Sequence, residues 1–120
     1  MIIAVTTAAD SLDGLMDRRF GRAPRFIIYN LETQEFSVKD NSQNLNAAQG
    51  AGIQSAQNVI ESGAGVVITG HCGPKAFRAL SAAGINVYNC GADTVREALN
   101  LFEIGALLPS LQADVEGHWA

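Results

Sequence analysis

Apolar and polar positions along this chain fall into blocks whose period switches between continuous runs, alternation and helical spacing. Residues 2–7, IIAVTT, are β-branched or apolar, the pattern of a buried strand. A polar stretch punctuated by Gly and Pro follows, AADSLDGLMDRRFGRAP. RFIIYNL (25–31) and EFSVKD (35–40) then flank the short ETQ and predict a hairpin. After polar NSQNLN, a helix over 47–62 carries Ile53, Ala56, Val59 and Ile60 on one stripe and stops at Gly63. Gly50 and Gly52 make its start a poor helix interior, costing ~1 kcal/mol each relative to Ala. They suit either a close approach of backbone or ligand, or a frayed helix start.

AGVVIT (64–69) reads as a second fully buried strand, and the turn GHCG follows it. Pro74 occupies the first position of a helix that runs to Ala83 and is stopped by Gly84. INVYNC (85–90) is a further strand. Thr94 and Glu97 have capping-box spacing, with Val95, Ala98, Leu99 and Phe102 as the inner face of the last helix. The resulting order, β-β-β-α-β-α-β-α, predicts an α/β fold: a three-layer α/β/α domain with a mixed five-stranded sheet. Strands alternating with helices in the second half require parallel pairing and right-handed crossovers. One domain over 1–105 and a C-terminal tail over 106–120 are expected, with no repeat and no linker. The tail fits a short helix or an irregular terminus.

Composition narrows the function. The chain has 120 residues, 48% of them apolar and 17% charged, which suits one soluble domain with a single core. Its net charge of −4 opposes a general nucleic-acid binder while permitting a local anion site. No apolar run approaches the ~20 residues needed to span a membrane. Cys72 and Cys90 form no CxxC pair, so reduced thiols and a cytoplasmic location are expected.

Open α/β sheets bind ligands beyond the carboxyl ends of their parallel strands. Three segments meet there: the loop after Thr7, the GHCG turn after Thr69 and the segment after Asn89. The loop holds Arg18, Arg19, Arg22 and Arg25, four of the eight cationic side chains, threaded with Gly21 and Pro24. Guanidinium groups suit delocalised anions, although Asp10, Asp13 and Asp17 could also pair with them on a solvated surface. In the turn, Gly70 and Gly73 permit close backbone approach, and the helix start offers N–H groups to an anion. Lys75 sits in that first turn against the macrodipole, a conflict a bound anion would relieve. His71 and Cys72 add an imidazole and a thiol, donors for soft metals. Met16 and Phe20 are candidates to cover a ligand.

Other chemistries find little support. The chain has no Walker A spacing, no GxGxxG after the first strand and no GxSxG. None of the three central strands ends in a carboxylate, so a two-metal nuclease centre is not expected.

The stretches RFGRAPRFIIYNLE, GAGIQSAQNVIESGAGVVITGHCGPKAFRALSAAGINVY and VREALNLF, in that order, resemble the dinitrogenase iron–molybdenum cofactor biosynthesis family. That family includes NifX-like carriers and the C-terminal domain of NifB. The resemblance covers about residues 1–105 and implies a ribonuclease H-like fold without nuclease activity. It further implies a non-enzymatic role in binding or delivering an anionic metal–sulfur cluster. For a lone small domain, the resemblance points to a molybdenum–copper sulfide cluster held non-covalently, with an iron–molybdenum-type cluster as the alternative. The site residues it suggests are Arg18, Arg19, Phe20, Gly21, Arg22, Gly70, His71, Cys72, Gly73 and Lys75, with His71 and Cys72 as metal contacts. Family members often carry His before this Phe-Gly pair, where this chain has Arg19, so the loop is expected to act by charge. Partners would be the cluster and a protein recipient, with neither nucleic acid nor membrane. The alternative is a protein–protein interaction module of the same fold without a cofactor.

Overall fold

The computed structural model of the chain describes residues 1–42 and 51–111. In chain order the elements are β1 (Ile2–Thr7), a 3-10 turn (Phe20–Arg22), β2 (Arg25–Asn30), β3 (Phe36–Asp40) and α1 (Ala51–Ser62). These are followed by β4 (Val66–Thr69), α2 (Pro74–Ala82), β5 (Asn86–Asn89) and α3 (Val95–Glu103). The expected order and fold class are therefore present. The predicted helical residues 47–50, Gly50 among them, lie outside the described residues, as do residues 112–120 with His118 and Trp119.

The sheet order is β3-β2-β1-β4-β5. β1 pairs antiparallel with β2, from Ile2 opposite Asn30 to Thr7 opposite Arg25, and β2 pairs antiparallel with β3. β1, β4 and β5 run parallel. The carboxyl ends of β1, β4 and β5, the start of β2 and the end of β3 thus share one edge.

Period-two alternation sends side chains to opposite faces of the sheet, and each face has its own core. On one side α1 and α2 place Ala56, Val59, Ala76 and Leu80 against Ala4, Phe26, Val67 and Val87. On the other, α3 places Val95, Ala98 and Leu99 against Ile3, Val5, Ile27, Val66 and Ile68. Thr94 caps α3 by accepting a hydrogen bond from the Glu97 N–H at 3.1 Å, as the capping-box spacing predicts. Gly84, expected to stop α2, has φ +78, the left-handed conformation that such a stop requires.

α1 departs from its predicted face. Ile53 is 48% exposed, whereas Ser55 and Asn58 are buried beside Ala56 and Val59. Two polar side chains are stable there because Asn41, just past β3, partners both, and the Gly21 carbonyl of the loop before β2 accepts from Ser55. Past α3, residues 106–111 fold back on the sheet. Ser110 N–H donates to the Val87 carbonyl at 2.7 Å, and Pro109 bridges to Tyr88 beside the outer edge of β5.

Candidate functional site at the carboxyl edge of the sheet

The loop between β1 and β2 leaves at Thr7 and returns at Arg25, which are opposite each other in the ladder. Between these points it is sewn to three neighbours. Its early part joins the start of α3: Met16 N–H donates to the Asp93 carbonyl at 2.9 Å, and Val95 and Arg96 N–H groups donate to the Gly14 and Leu12 carbonyls. Its middle joins the end of β1. Asp17 N–H donates to the Thr6 carbonyl, and the Thr6 and Thr7 hydroxyls donate to the Asp17 and Leu15 carbonyls at 2.6 and 2.7 Å. The Thr6 hydroxyl also lies 3.0 Å from that of Thr69, fully buried, linking the ends of β1 and β4.

The third attachment unites the arginine loop with the GHCG turn. His71 N–H donates to the Arg18 carbonyl at 2.7 Å, and Phe20 N–H donates to the His71 carbonyl at 3.0 Å. This is a one-residue parallel bridge between segments far apart in sequence. It explains Gly70: a Cβ there would lie 2.7 Å from the Arg18 carbonyl oxygen and 2.8 Å from its Cα. The close approach that glycine was expected to allow is made by the chain's own backbone.

A buried amide cluster holds the far side of the loop. Asn41 donates through Nδ2 to the Ala23 carbonyl at 2.8 Å and to Ser55 Oγ at 3.0 Å, and Asn58 donates to Asn41 Oδ1 at 2.6 Å. Ser55 Oγ lies 3.4 Å from the Gly21 carbonyl. Ser55 and Asn58 are thus the part of α1 that grips the 3-10 turn. Phe20, expected as a ligand contact, is fully buried and packs its ring 5.6 Å from that of Phe26. Gly21 is buried in the same turn. Met16 is buried in the α3-side core, so the two apolar residues proposed as a cover serve as anchors for the loop.

What remains at the surface is cationic. Arg18 and Arg19 are exposed and, among the described residues, form no ion pair. Asp13 and Asp17 are engaged by other groups. Asp13 pairs with Arg96 Nε at 2.8 Å, whose guanidinium holds the Asp13 carboxyl below the usual carboxylate range. Asp17 accepts the backbone N–H of Arg19 at 2.9 Å, and Arg25 donates to the Ala8 carbonyl at 2.6 Å. Arg22 is half-buried at the end of the 3-10 turn.

Arg18, Gly70, His71, Asn89, Cys90 and Gly91 line an open concavity of about 330 Å3 at this edge. Asn89 forms its wall by donating Nδ2 to the Gly70 carbonyl at 3.0 Å, with Oδ1 hydrogen-bonded to the Ser110 hydroxyl. The two cysteines separate onto the two faces of the sheet. Cys72 is 1% exposed in the α1/α2-side core with Sγ 3.7 Å from the Gly73 carbonyl, while Cys90 belongs to the α3-side core and lines the concavity. Gly73 is the buried N-cap of α2. Lys75 lines a different groove, with Ile53 and Arg78 between α1 and α2, instead of joining Arg18 and His71. Among the described residues no group of three or more His, Cys, Asp or Glu side chains is placed to hold a metal ion. The arrangement offers positive charge, an imidazole, an amide and backbone, and so suits an anion better than a bare cation.

Sequence reasoning missed Asn89 as a wall of the concavity. The pointer available was its position at the carboxyl end of a parallel strand beside Thr69.

The comparisons with known proteins agree with this architecture. The apo form of the orange protein from Desulfovibrio gigas superposes with a TM-score of 0.92 at 43% identity, covering 95% of this chain and 96% of that one. A Thermotoga protein described as NifB, solved by NMR, gives 0.84 at 32% identity over 97% and 98% of the two chains. A curated but uncharacterised protein of Methanocaldococcus jannaschii is 32% identical over 90 residues, 73% of this chain and 76% of that one. The family model described as dinitrogenase iron-molybdenum cofactor matches residues 1–105, and with it this chain belongs to the dinitrogenase iron–molybdenum cofactor family.

Proposed function

We propose that the protein is a non-enzymatic carrier that binds an anionic molybdenum–sulfide cluster, with copper as its second metal, in the concavity between the arginine loop and the GHCG turn. The observation that carries this reading is the Arg19–His71 backbone bridge, made by the His71 N–H on the Arg18 carbonyl and the Phe20 N–H on the His71 carbonyl. It ties the backbone that bears Arg18 and Arg19, which form no ion pair among the described residues, to the imidazole-bearing residue at the binding edge of the sheet. Family membership and the likeness to the orange protein support a cluster as the ligand.

The groups present fit an anionic cargo. Sulfide and oxo ligands carry delocalised negative charge, and each charge-assisted hydrogen bond from a guanidinium contributes about 1.5–3 kcal/mol before desolvation. The donor set does not complete a metal coordination shell, so charge and hydrogen bonding hold the cluster and His71 supplies at most one direct bond. Cys90, which lines the concavity, replaces the core-facing Cys72 as the thiol nearest the cargo. A protein recipient would take the cluster from this open edge.

The test is reconstitution. Apo-protein mixed with tetrathiomolybdate and cuprous ion, then desalted, is expected to retain both metals and a visible charge-transfer band. The Arg18→Ala/Arg19→Ala double variant is expected to lose at least tenfold in retention while keeping its circular dichroism. No retained metal, or full retention by the double variant, overturns the assignment.

A further inference from the structure

The two edges of the sheet are finished differently. Beside β5 the chain folds back and covers the edge with Pro109 and Ser110. Among the described residues nothing pairs with the outer edge of β3, and its Phe36 and Val38 are each 41% exposed. An open edge with apolar side chains is a template for another strand.

The hydrogen-bond phase of that edge is set by its inner neighbour. Asn30 N–H donates to the Glu35 carbonyl at 2.8 Å. Alternation along an antiparallel ladder then turns the backbone groups of residues 35, 37 and 39 toward β2, and those of 36, 38 and 40 outward. A second antiparallel strand must therefore hydrogen-bond at Phe36 and Val38. If that strand is β3 of another copy, the two-fold axis must pass through a residue and not between two.

Of the axes this allows, the one at Ser37 makes the strand complementary to itself. Phe36 then faces Val38 of the other copy, and the reciprocal contact repeats it. On the opposite face of the sheet, Glu35 falls opposite Lys39 of the other copy, twice. Moving the axis to Val38 would instead set Phe36 against Asp40, and both charge pairs would vanish. Lys39 is already beside Glu61 at 3.5 Å, so its ammonium would bridge two carboxylates on that side.

We propose that the protein self-associates through β3 into a two-fold dimer with a continuous ten-stranded sheet, in the register centred on Ser37. Antiparallel pairing turns the two carboxyl edges in opposite directions, so both candidate sites stay open. A single five-residue strand is a small interface, and the dimer belongs to the weak class that forms at high micromolar concentration.

Sedimentation from about 10 μM to 1 mM is expected to show a monomer–dimer equilibrium. Hydrogen exchange over the same range is expected to show Phe36 and Val38 amides gaining protection while Ser37 stays protected throughout. Val38→Pro removes an outward N–H and leaves the β2–β3 ladder intact, so a folded monomer is expected at every concentration. Glu35→Lys is expected to weaken association by roughly tenfold through two repulsive cross-strand pairs. Register is read by cross-linking. Centred on Ser37, the two residues 37 form a non-hydrogen-bonded pair with Cα atoms about 4.5 Å apart. Oxidised glutathione should therefore link Ser37→Cys into a covalent dimer far faster than Val38→Cys. A protein that stays monomeric at 1 mM, a Val38→Pro variant that still dimerises, or faster linkage of Val38→Cys overturns the proposal.

Discussion

A methyl group at position 70 has nowhere to go, because the Arg18 backbone already occupies the space. Gly70→Ala must break the hydrogen bond from the His71 N–H to the Arg18 carbonyl or strain the end of β4, and an overpacking cost of about 1–3 kcal/mol is expected in the urea midpoint. Since the displaced segment carries Arg18, cluster retention should fall with it. Asn41 is the second residue on which the loop depends. Asn41→Leu strands the Asn58 amide and the Ala23 carbonyl in a buried place, at a cost of about 1–3 kcal/mol by denaturant melt. The thiols give an independent check of the burial pattern. Under native conditions an alkylating reagent is expected to modify Cys90, at the concavity, before Cys72, with mass spectrometry reading the order. Equal rates would contradict the separation of the two thiols onto opposite faces. These residue-level facts were the least legible in the sequence. Whether Cys72 turns into the core depends on the path of a four-residue turn, and Gly70 reads the same whether a ligand or a loop lies against it.

Elements were legible wherever one physical signal dominated. β1 and β4 are runs of apolar and β-branched residues, the signal of a buried strand. α2 is bracketed by Pro74 and Gly84, each acting through a backbone constraint that the chain declares openly. α1 was misjudged in its facing because its inner surface includes Ser55 and Asn58, polar residues satisfied by Asn41 and by carbonyls of a distant loop. No periodicity of hydrophobicity can reveal that. α3 offers a test at this scale. Thr94→Ala removes the cap and should cost about 1 kcal/mol. The Asp13–Arg96 pair ties the same helix start to the loop. Its folded-state Asp13 pKa is lowered, so its contribution is present above the unfolded carboxylate value and is lost as pH falls through the folded one. Asp13→Asn should therefore flatten the acid limb of the stability curve slightly, in keeping with an exposed pair.

Across the whole molecule, every buried side-chain nitrogen or oxygen among the described residues has a partner. The fold therefore does not wait for a ligand to satisfy it. The apo-protein is expected to melt in one cooperative transition. Cluster present at a hundred times its dissociation constant should add about 2.7 kcal/mol of stability. An apo-protein that unfolds only gradually, with a sharp transition restored by metal, would show instead that the cluster is structural. The segregation of charge matters at this scale as well. The chain is acidic overall, with a net charge of −4, yet the loop cations face one edge, so binding of an anion there should weaken as ionic strength rises.

The loop's two ends sit opposite each other, Thr7 against Arg25, and this separates heredity of the fold from heredity of its chemistry. An excursion that departs from and returns to the same rung can change its outward residues without shifting any strand past its neighbour. Phe20 and the glycines keep its path. Positions 18 and 19 are left free to vary, and exchanging their side chains alone should let this scaffold acquire cargo of a different charge.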